Sequence, residues 1–498
     1  MNACSLHSEH WINGQWVPSS SQQTFMVENP TTASDLHPVA RGTAEDVDRA
    51  VEAARRAFAS WRKVPGLARC EMLHHSAHTI RAHRVELAEL MTLEGGKTLL
   101  ENLDEVEWVA ACFDYYAELG RDLRGRVIAP VQPGQFNMVV KEPLGVVGCI
   151  VPWNYPLLLL AWKLAPCLAI GNTVVIKPSE LTPLSTLRMV ALLDRIPPGV
   201  VNVVTGLGAE AGQALVEHRD VAMIAFTGSL VTGKRILKAA ADTVKRTHME
   251  LGGSDPFIVC DDVDLDVAAR AAAWAAFLNN GQVCTSAERI YVFDSIHDAF
   301  VEKLVAIAKD IRLGNPMGPE VDLGPMVSSA QRAKVMARVA EAVQAGATLR
   351  CGGDAVPELS PGYFMRPAVL TGVTQEMPLI RDEFFGPVAP VIRVKDLQEA
   401  IACANDSIYG LGATIMTRSL ERAMEAMEGI KAGTFWINDP LTDNEAGPFG
   451  GMRQSGNGRE LGWEGLEAFC DTKHVHMDYK QEHKPYWFPY DWSAIPRP

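Results

Sequence analysis

The chain is best interpreted outward from one run, Phe277-Leu278-Asn279-Asn280-Gly281-Gln282-Val283-Cys284-Thr285-Ser286. An apolar, alanine-rich segment, Ala268 to Leu278, leads into it and predicts a buried helix. Two Asn residues and a Gly end that helix, and Cys284 follows among small polar residues. A cysteine on a polar turn is within reach of a substrate and can hold a thiolate, the nucleophilic form. The run therefore predicts a nucleophile at the end of a buried helix.

A lone carboxylate upstream is a candidate partner for this cysteine. Glu250 ends a strand-like run and precedes Gly252 and Gly253, which let the backbone turn sharply. A nucleophile and a base on separate segments suit covalent catalysis with a later proton abstraction. Both residues also have a plainer interpretation. Most of the ten cysteines should be small buried hydrophobes, and a Glu before two glycines often only ends a strand.

Length and composition exclude several classes of protein. A chain of 498 residues exceeds one hydrophobic core, so two or three domains are expected. A net charge of −14 argues against nucleic acid or an anionic membrane as the main partner. Ten cysteines without a CxxC pair predict neither a disulfide framework nor a zinc motif, and hence a reduced, cytoplasmic protein. Met1–His10 lacks the apolar core of a signal peptide, and the longest apolar stretch, Leu157–Ile170, is too short to span a bilayer.

The N-terminal part reads as a hairpin followed by helices. Trp11–Val17 surrounds an Asn-Gly turn, which is typical of a β-hairpin. The predicted helices are one through Val47–Trp61 with Thr43 as N-cap, one over Leu67–Leu93 and one over Leu99–Leu119. His74 and His78 lie four residues apart on the second helix. No third ligand is in view and the surrounding face is charged, so we expect a solvated surface and no metal.

Strands and helices then alternate in two series, which predicts parallel sheets covered on both faces. The predicted strands are Val146–Val151, Thr173–Ile176, Val200–Val204, Val221–Phe226 and Thr247–Glu250, then Phe257–Val259, Ile290–Phe293, Ala389–Val394, Ala413–Met416 and Thr434–Ile437. The predicted helices include Leu157–Ala169, Leu184–Arg195, Ala209–His218, Leu230–Ala240, Phe300–Lys309 and Gln331–Ala345. Arg121–Glu142 looks like an extended excursion, and His474–Met477 like a late strand.

Several strand-to-helix turns could bind a nucleotide. Gly228–Lys234 fits a P-loop, but Arg235 replaces the Ser or Thr that would hold magnesium, which disfavours a kinase or ATPase. Gly206-Leu207-Gly208 follows a strand and opens a helix, although no acidic residue ends the next strand. Both turns could accept phosphate at a helix N-terminus. Lys177 and Glu180 end another strand and could hold two ribose hydroxyls, unless they form a chance ion pair.

Asn154 follows a further strand, in Pro152-Trp153-Asn154-Tyr155-Pro156. An amide fixed between prolines is a good donor to a developing oxyanion. A loop packed by its aromatic residues is the alternative.

Taken together, these motifs resemble the aldehyde dehydrogenase superfamily over nearly the whole chain. The matching motifs are Pro152-Trp153-Asn154, Lys177-Pro178-Ser179-Glu180, Phe226-Thr227-Gly228-Ser229, Glu250-Leu251-Gly252-Gly253, Phe277-x-Asn279-x-Gly281-Gln282-x-Cys284, Glu383-x-Phe385-Gly386-Pro387, and Pro448-Phe449-Gly450-Gly451 running to Ser455-Gly456-x-Gly458-Arg459-Glu460. The spelling of Trp153–Leu181 and of Gly206-Leu207-Gly208 is most similar to the betaine-aldehyde and amino-aldehyde branch. One departure is Ser254, where many relatives have Lys.

The resemblance implies an α/β fold of two doubly wound parallel-sheet domains with a small β oligomerisation arm. The NAD-binding domain would comprise residues 1–120 and 144–251, and the catalytic domain residues 252–470. Residues 121–143 and 471–498 would form the arm and the C-terminal tail. Strand edges on such an arm could be covered by a neighbouring subunit, so a homodimer or homotetramer is expected.

The resemblance also implies a role for each matching residue. Cys284 would be the nucleophile, Glu250 the general base, and Asn154 the oxyanion donor together with the Cys284 N–H. Lys163 and Glu460 match a pair assigned to proton relay. The implied NAD contacts are Val151, Pro152, Trp153, Lys177, Pro178, Ser179, Glu180, Gly208, Thr227, Gly228, Ser229, Thr232, Leu251, Glu383 and Phe385. The implied substrate contacts are Tyr155, Leu159, Trp162, Val283, Thr285 and Asp439. No metal is implied.

The implied reaction oxidises a small-molecule aldehyde to the carboxylic acid through a thiohemiacetal and a thioester on Cys284. Glu250 favours hydrolysis over transfer to coenzyme A, and Glu180 predicts NAD, with NADP used weakly if at all. The implied funnel holds no Arg or Lys, and its aromatics with Asp439, Asp443 and Glu445 could attract an ammonium group, unless these acids are only solvated. Betaine aldehyde or an amino-aldehyde is expected. A semialdehyde, a broad range of aldehydes, and non-redox thiol hydrolysis are the alternatives.

Overall fold

A computed structural model describes residues 6–490 and 493, which are the described residues below. The strands are β1 His10–Ile12, β2 Gln15–Val17, β3 Thr24–Asn29, β4 Ser34–Ala40, β5 Arg126–Ile128, β6 Gln135–Pro143, β7 Val146–Ile150, β8 Thr173–Lys177, β9 Val201–Val203, β10 Val221–Thr227, β11 Arg246–Glu250, β12 Pro256–Val259, β13 Arg289–Phe293, β14 Thr348–Cys351, β15 Ala368–Thr371, β16 Val388–Val394, β17 Gly412–Met416, β18 Thr434–Ile437 and β19 Cys470–Asp478. The α-helices are α1 Ala44–Trp61, α2 Gly66–Ala82, α3 Arg84–Gly95, α4 Leu99–Arg121, α5 Leu158–Ile170, α6 Leu184–Ala191, α7 Gln213–Glu217, α8 Leu230–Ala240, α9 Leu265–Phe277, α10 His297–Asp310, α11 Ser329–Gln344, α12 Pro378–Arg381, α13 Leu397–Asn405, α14 Leu420–Gly429 and α15 Gly462–Ala468.

The first large sheet has the strand order β11-β10-β7-β8-β9-β1-β2. Its first five strands are parallel, and the β1–β2 hairpin closes the edge in antiparallel register. Every residue of β7 and β8 is buried, as expected for central strands covered on both faces. The predicted first series of strands and the Asn-Gly hairpin are therefore confirmed.

The second large sheet has the order β14-β15-β16-β13-β12-β17-β18. Its strands are parallel except for β14, which pairs antiparallel with β15. The five predicted strands of the second series are all present. β14 and β15 were not predicted. Each has only four residues, too few to show the alternation of apolar and polar residues that identifies a strand. The α/β fold class is confirmed.

A third, smaller sheet has the order β19-β6-β5. β6 pairs with β19 along its whole length, from Gln135 opposite Asp478 to Pro143 opposite Cys470. All three residues of β5 are exposed. The extended excursion and the late strand expected from the sequence thus pair with each other. The division of the chain into domains stays a prediction.

Three of the predicted helices differ from the observed ones by an internal break or by four residues at one end. The segment predicted as one helix over Leu67–Leu93 is two helices, because His83 has non-helical backbone angles and its N–H bonds to the carbonyls of Thr79 and Ile80. α6 ends at Ala191 rather than Arg195. The segment predicted over Ala209–His218 begins with a π-helical turn, Gly208–Gly212, before α7. The apolar spacing continues across each of these breaks, so periodicity alone does not reveal them.

Helix α5 is buried at every residue, including Lys163. It lies directly after β7 and packs against α2 and α4 on the side away from the sheet. A buried lysine requires a charged partner, so this helix brings an ion pair into the core beside the strand ends. No helix among the described residues is long and apolar enough to cross a bilayer.

Candidate active site

Four parallel strands end at the same edge of the first sheet, and each is followed by one of the sequence motifs. Pro152-Trp153-Asn154 follows β7, Pro178-Ser179-Glu180 follows β8, Gly228-Ser229 follows β10, and Leu251-Gly252-Gly253 follows β11. Carboxyl ends of parallel strands are where open α/β sheets bind ligands. The motifs are therefore brought together by the strand order and not by their separations in sequence.

The turn that carries Cys284 follows α9 and has an unusual backbone. Asn279, Asn280 and Gly281 have φ values of 48°, 58° and 63°, in the left-handed region that favours Asn and Gly. A Cβ on Gly281 would lie 2.1 Å from the carbonyl oxygen of Gly386, so only glycine fits there. Asn280 donates to the carbonyls of Gly324 and Pro325. These contacts hold the turn in one conformation and place Cys284 beyond it.

Asn154 is fixed beside this turn. Its side-chain amide donates to the carbonyl of Gln282 at 3.0 Å, and its own carbonyl accepts from Asn279 and Lys97. Asn154 is 5% exposed. An amide has two N–H donors, and the bond to Gln282 uses one of them. The other can serve an oxyanion formed at Cys284.

Gly252 and Gly253 allow two close approaches. A Cβ on Gly252 would lie 2.2 Å from the carboxylate of Glu383, and one on Gly253 would lie 2.3 Å from the carbonyl oxygen of Cys284. Neither glycine has a positive φ. The sequence analysis assigned them to a sharp turn, and the structure shows that lack of space for a side chain is the reason for glycine here.

The loop that carries Glu383 and Phe385 is held by a residue that the sequence did not reveal. The carboxylate of Glu288 accepts the backbone N–H groups of Phe384 and Phe385. Phe385 has a φ of 58°, and its ring lies edge-on to Trp153 with centroids 5.4 Å apart. Burial raises the pKa of Glu383 to about 7, against the opposing effects of Lys334 and the Gly253 N–H. In the sequence, the feature that could have drawn attention to Glu288 is that it is an isolated acidic residue directly before an apolar strand.

Glu250 is 2% exposed, and neither of its carboxylate oxygens has a hydrogen-bond partner among the described residues. Burial raises its pKa well above the usual range. The nearby Glu460 adds to that effect, whereas Lys163 and Arg459 oppose it. A Cβ on Gly450 would lie 2.8 Å from Glu250 Oε1, so the carboxylate faces the glycine-rich loop after β18. Glu250 is thus a buried carboxyl group in this conformation, and its burial favours the protonated form.

Lys163 and Glu460 form a buried ion pair behind Glu250. The ammonium group of Lys163 contacts the carboxylate of Glu460 and donates to Thr227 Oγ1 at 2.5 Å. His248 Nε2 lies 3.7 Å from the same carboxylate. Burial lowers the pKa of His248 to about 3, so this imidazole is neutral. The predicted pairing of Lys163 with Glu460 is present, and its role in proton relay stays a prediction.

Two cavities meet at Cys284, and they share Asn154, Leu159 and Cys284 in their walls. The larger, of about 240 Å³, we name the aromatic cavity. It is lined by Glu101, Asp104, Glu105, Trp108, Asn154, Tyr155, Leu158, Leu159, Trp162, Trp274, Leu278, Val283, Cys284, Thr285, Leu441, Thr442, Asp443 and Phe449. The smaller, of about 190 Å³, we name the loop cavity. It is lined by Pro152, Trp153, Asn154, Leu159, Thr227, Gly228, Ser229, Leu251, Gly252, Cys284, Gln331, Lys334, Glu383 and Phe385.

Five of the six predicted substrate residues line the aromatic cavity, and they are Tyr155, Leu159, Trp162, Val283 and Thr285. Asp439 does not: it is exposed and absent from the wall. The turn after β18 explains the difference. Asn438 and Leu441 have positive φ values, and Trp436 Nε1 donates to the carbonyl of Thr442. This geometry places Asp443 in the cavity instead of Asp439.

Helix α4 contributes a set of wall residues that the sequence analysis missed. Glu101, Glu105 and Trp108 follow the i, i+4, i+7 spacing of one helix face, which was the available signal. Glu105 is paired with Lys97 and accepts the N–H groups that begin α5. Burial raises the pKa of Glu101 to about 7, and that of Asp443 likewise to about 7. The aromatic cavity therefore carries negative charge that increases through neutral pH.

The predicted cofactor residues fall into two groups. Eight line the loop cavity, and they are Pro152, Trp153, Thr227, Gly228, Ser229, Leu251, Glu383 and Phe385. Seven do not, and they are Val151, Lys177, Pro178, Ser179, Glu180, Gly208 and Thr232. Within the second group, Lys177 donates to Glu180 at 3.1 Å, and the Thr232 N–H donates to Ser229 Oγ at the start of α8. Gln331 and Lys334 line the loop cavity and were not predicted.

The thiol of Cys284 lies in an environment that disfavours its anion. Burial raises its pKa well above the usual range, and the nearby Asp255, Asp443, Glu383 and Glu250 add to that effect. The sequence suggested a readily formed thiolate on a polar turn. In the structure, burial first and the four nearby carboxyl groups second favour the neutral thiol over the thiolate.

Comparisons with known proteins agree with the motifs. The profile of the aldehyde dehydrogenase family matches residues 16–475. The chain is 41% identical to betaine aldehyde dehydrogenase of Bacillus subtilis (strain 168), over 94% of this chain and 97% of that protein. It is 41% identical to a chloroplastic aminoaldehyde dehydrogenase of Arabidopsis thaliana, over 98% of each. Its fold is similar to the crystal structure of betaine aldehyde dehydrogenase from Staphylococcus aureus in complex with NAD⁺, with a TM-score of 0.95, 38% identity and 97% of both chains covered.

The raised pKa of Cys284 predicts slow alkylation at neutral pH. Only the thiolate reacts, so the rate with iodoacetamide should rise about tenfold per pH unit and continue to rise beyond about pH 9. Asp443→Asn removes a nearby negative charge and should therefore increase the rate at a given pH. Mass spectrometry of the Cys284 peptide measures this, with exposed Asp439→Asn as the control. A plateau near pH 7 would contradict the geometry.

Proposed function

The chain belongs to the aldehyde dehydrogenase family, and we propose that it oxidises betaine aldehyde or a related amino-aldehyde to the carboxylic acid with NAD. As a member of that family it is an oxidoreductase, so the thiol hydrolase alternative is set aside. The observation that carries the proposal is the meeting of two different cavities at one cysteine. One cavity is suited to a cationic aldehyde and the other to a nucleotide cofactor.

The loop cavity fits the nicotinamide half of NAD. Glu383 offers a carboxylate that can accept from ribose hydroxyls, and the N-terminus of α8 at Ser229 offers backbone donors to phosphate. A Cβ on Gly228, whose φ is 158°, would lie 2.6 Å from the ring of Phe226. Glycine is therefore favoured at this turn, and no side chain at position 228 covers the start of α8. Lys177 and Glu180, which pair at the end of β8, would bind the adenosine ribose in this proposal. NAD supplies, when bound, the hydride acceptor that protein side chains lack.

Cys284 and Asn154 carry the first half of the chemistry in this proposal. After the Cys284 thiol has lost its proton to solvent, its sulfur adds to the aldehyde carbon, and the carbonyl oxygen of the resulting thiohemiacetal takes the negative charge. The second N–H of Asn154 and the backbone N–H of Cys284 stabilise that charge. Because the bond to Gln282 already orients the Asn154 amide, little reorganisation is required when the charge forms.

Glu250 carries the second half, hydrolysis of the thioester that Cys284 would hold once the thiohemiacetal carbon has lost its hydride to NAD. Its carboxylate takes a proton from the attacking water. Glu250 lines neither cavity, so we propose that its side chain rotates from Gly450 toward Cys284 for this step. Glu250 must be ionised to act as this base, and we propose that the buried Lys163–Glu460 pair, whose charges act on Glu250, takes part in removing its proton.

The aromatic cavity supports a cationic substrate. Trp108, Tyr155, Trp162 and Trp274 supply ring faces that attract an ammonium group, and Phe449 contacts Trp162 with ring centroids 5.0 Å apart. Glu101 and Asp443 add carboxylates that a cation would keep ionised. Lys97 is the exception, since it lies 3.7 Å above the Tyr155 ring, but its charge is balanced by Glu105. An anionic semialdehyde would meet repulsion here.

We also propose a homodimer or homotetramer in the cytoplasm. β5 and β19 form the outer strands of the small sheet. Val127 in β5 and Val131, three residues after that strand, are 70% and 87% exposed. A second copy of the chain is the natural cover for such strand edges. All nine cysteines in the described part of the chain are free thiols, which supports a reducing compartment.

Cys284→Ala should abolish oxidation while NAD still binds, because only the nucleophile is lost. Glu250→Gln should release about one equivalent of NADH per site in a burst and then turn over slowly, because thioester hydrolysis is impaired. Stopped-flow absorbance measures the burst, and a binding titration measures NAD. Slowing without a burst would place Glu250 before hydride transfer.

Charge recognition should appear as a difference between two aldehydes of the same shape. Betaine aldehyde should have a kcat/KM at least about tenfold above that of neutral 3,3-dimethylbutanal, because a desolvated cation gains about 2 kcal/mol over aromatic faces. Glu101→Gln should reduce this ratio. Glu107→Gln, on the same helix but outside the cavity, is the control. Equal kcat/KM values would point to a broad-range enzyme.

NAD should be preferred to NADP at least about tenfold in kcat/KM, which requires only about 1.4 kcal/mol. The 2′-phosphate of NADP would face the Glu180 carboxylate and lacks the hydroxyl donor. Lys177 would offset part of the repulsion. Glu180→Gln should narrow the gap by improving NADP more than it harms NAD. Equal use of both cofactors by the wild type would show that Glu180 does not face the ribose.

Sedimentation velocity over a range of concentrations should show a dimer or a tetramer. The exposed strand edges of the small sheet are the physical reason. A mass of one chain at every concentration would contradict this part of the proposal without affecting the assignment of the active site.

A further inference from the structure

A group of polar side chains joins α2 to α4, and none of them lines either cavity. Cys70 and His74 are one turn apart on α2, and Asp114 and Glu118 are one turn apart on α4. We infer that this group is a binding site for a divalent transition-metal ion of the zinc class, with Cys70, His74 and Glu118 as ligands. We name it the α2–α4 site. The inference is independent of the dehydrogenase reaction.

The three ligand atoms already lie close together. Cys70 Sγ, His74 Nε2 and a Glu118 carboxylate oxygen are within 4.8 Å of one another, with Sγ to Oε1 at 3.9 Å and Nε2 to Oε1 at 2.7 Å. Zinc–ligand bonds of about 2.0–2.3 Å place the ligand atoms of a tetrahedral site about 3.3–3.8 Å apart. The Nε2–Oε1 contact must widen and the Sγ–Oε1 contact must shorten slightly. The Nε2–Oε1 contact is a hydrogen bond whose proton the ion would replace.

A second carboxylate orients the imidazole. His74 Nδ1 lies 2.6 Å from Asp114 Oδ1, and Arg81 donates to the other oxygen of Asp114 at 2.5 Å. When Nδ1–H donates to Asp114, Nε2 presents its lone pair toward Cys70 and Glu118. A histidine ligand held through its other nitrogen by a carboxylate is the usual arrangement at protein zinc sites.

The surrounding charges suit a cation. Glu71, Glu107, Asp114 and Glu118 outnumber the two neighbouring cations, Arg81 and Arg121. Without an ion, burial lowers the pKa of His74, but Asp114 and Glu118 outweigh that effect and raise it. An imidazolium paired with these two carboxylates would explain the position of His74. Cys70, a buried thiol, is directed at the same carboxylate and also interacts with Arg121, the cation with which a metal ion would compete here. A metal ion would displace the protons of both groups.

The site is open on one side only. Cys70 is 4% exposed, whereas the His74 and Glu118 side chains are 38% and 62% exposed. An ion can therefore enter from solvent, and a water molecule can fill a fourth position. Because its ligands come from two helices, a bound ion would clamp α2 to α4. The far end of α4 carries Glu101 and Glu105 in the wall of the aromatic cavity.

The sequence analysis considered His78, four residues after His74, and expected a solvated surface there. The side chain of His78 is exposed and outside the group. The nearer partner is Cys70, four residues earlier. Glu118 lies 44 residues along the chain, so no local pattern connects it to His74.

Cobalt(II) is the probe, because a thiolate bound to it gives a charge-transfer absorption. The titration is made in a Cys284→Ala background, so that the active-site thiol does not contribute. We expect one equivalent of Co²⁺ to bind with this absorption. Cys70→Ser should abolish the band, and His74→Gln should abolish it or weaken binding at least about tenfold. His78→Gln is the matched control and should retain the full band.

Zinc should also stabilise the enzyme through the same residues. With Cys284 intact, Zn²⁺ should raise the melting temperature by at least about 2 °C, and Cys70→Ser should remove that shift. Dehydrogenase activity in metal-free buffer reports folding of each variant and should be unchanged, since the α2–α4 site is outside both cavities. Absence of the cobalt band, or its persistence in Cys70→Ser, would overturn the inference.

Discussion

The arrangement of the site depends on the close approach of three backbone segments around Cys284. The strand end that carries Glu250 passes between Glu383 and the carbonyl of Cys284, at distances that exclude any side chain at Gly252 and Gly253. The Cys284 turn in turn lies against the carbonyl of Gly386, where Gly281 is required. These contacts join the first large sheet to the second. Cys284 is therefore positioned by close packing between the two sheets.

Burial of ionisable groups is the second feature of the site. Glu250 is held without hydrogen-bond partners among the described residues, beside the fully buried Lys163–Glu460 pair. Burying ionisable groups in this way costs free energy of folding. Here it raises the pKa of both Glu250 and Cys284 and so favours their neutral forms. Ionisable groups with strongly shifted pKa values are concentrated at functional sites.

The two cavities differ in their electrostatic character. The aromatic cavity combines aromatic rings with Glu101 and Asp443, whereas the loop cavity combines the α8 N-terminus with Glu383. Rings and carboxylates both favour positive charge, and a helix N-terminus favours negative charge. Asn154, Leu159 and Cys284 are the described residues that line both cavities.

The amino-acid sequence by itself determined which strands are buried, where the turn before Cys284 lies, and most of the residues that gather at the candidate active site. Each of these rests on local patterns: apolar runs for β7 and β8, Asn and Gly for the turn before Cys284, and short motifs for the ligand loops. Tertiary structure alone decided that Asp443 replaces Asp439 in the cavity, that Glu288 supports the Phe385 loop, and that Cys70 and His74 meet Glu118. The physical reason is the same in each case. A side chain's neighbours across the core depend on how whole elements pack and on which way a turn directs its residues, and neither is encoded in the spacing of nearby residues.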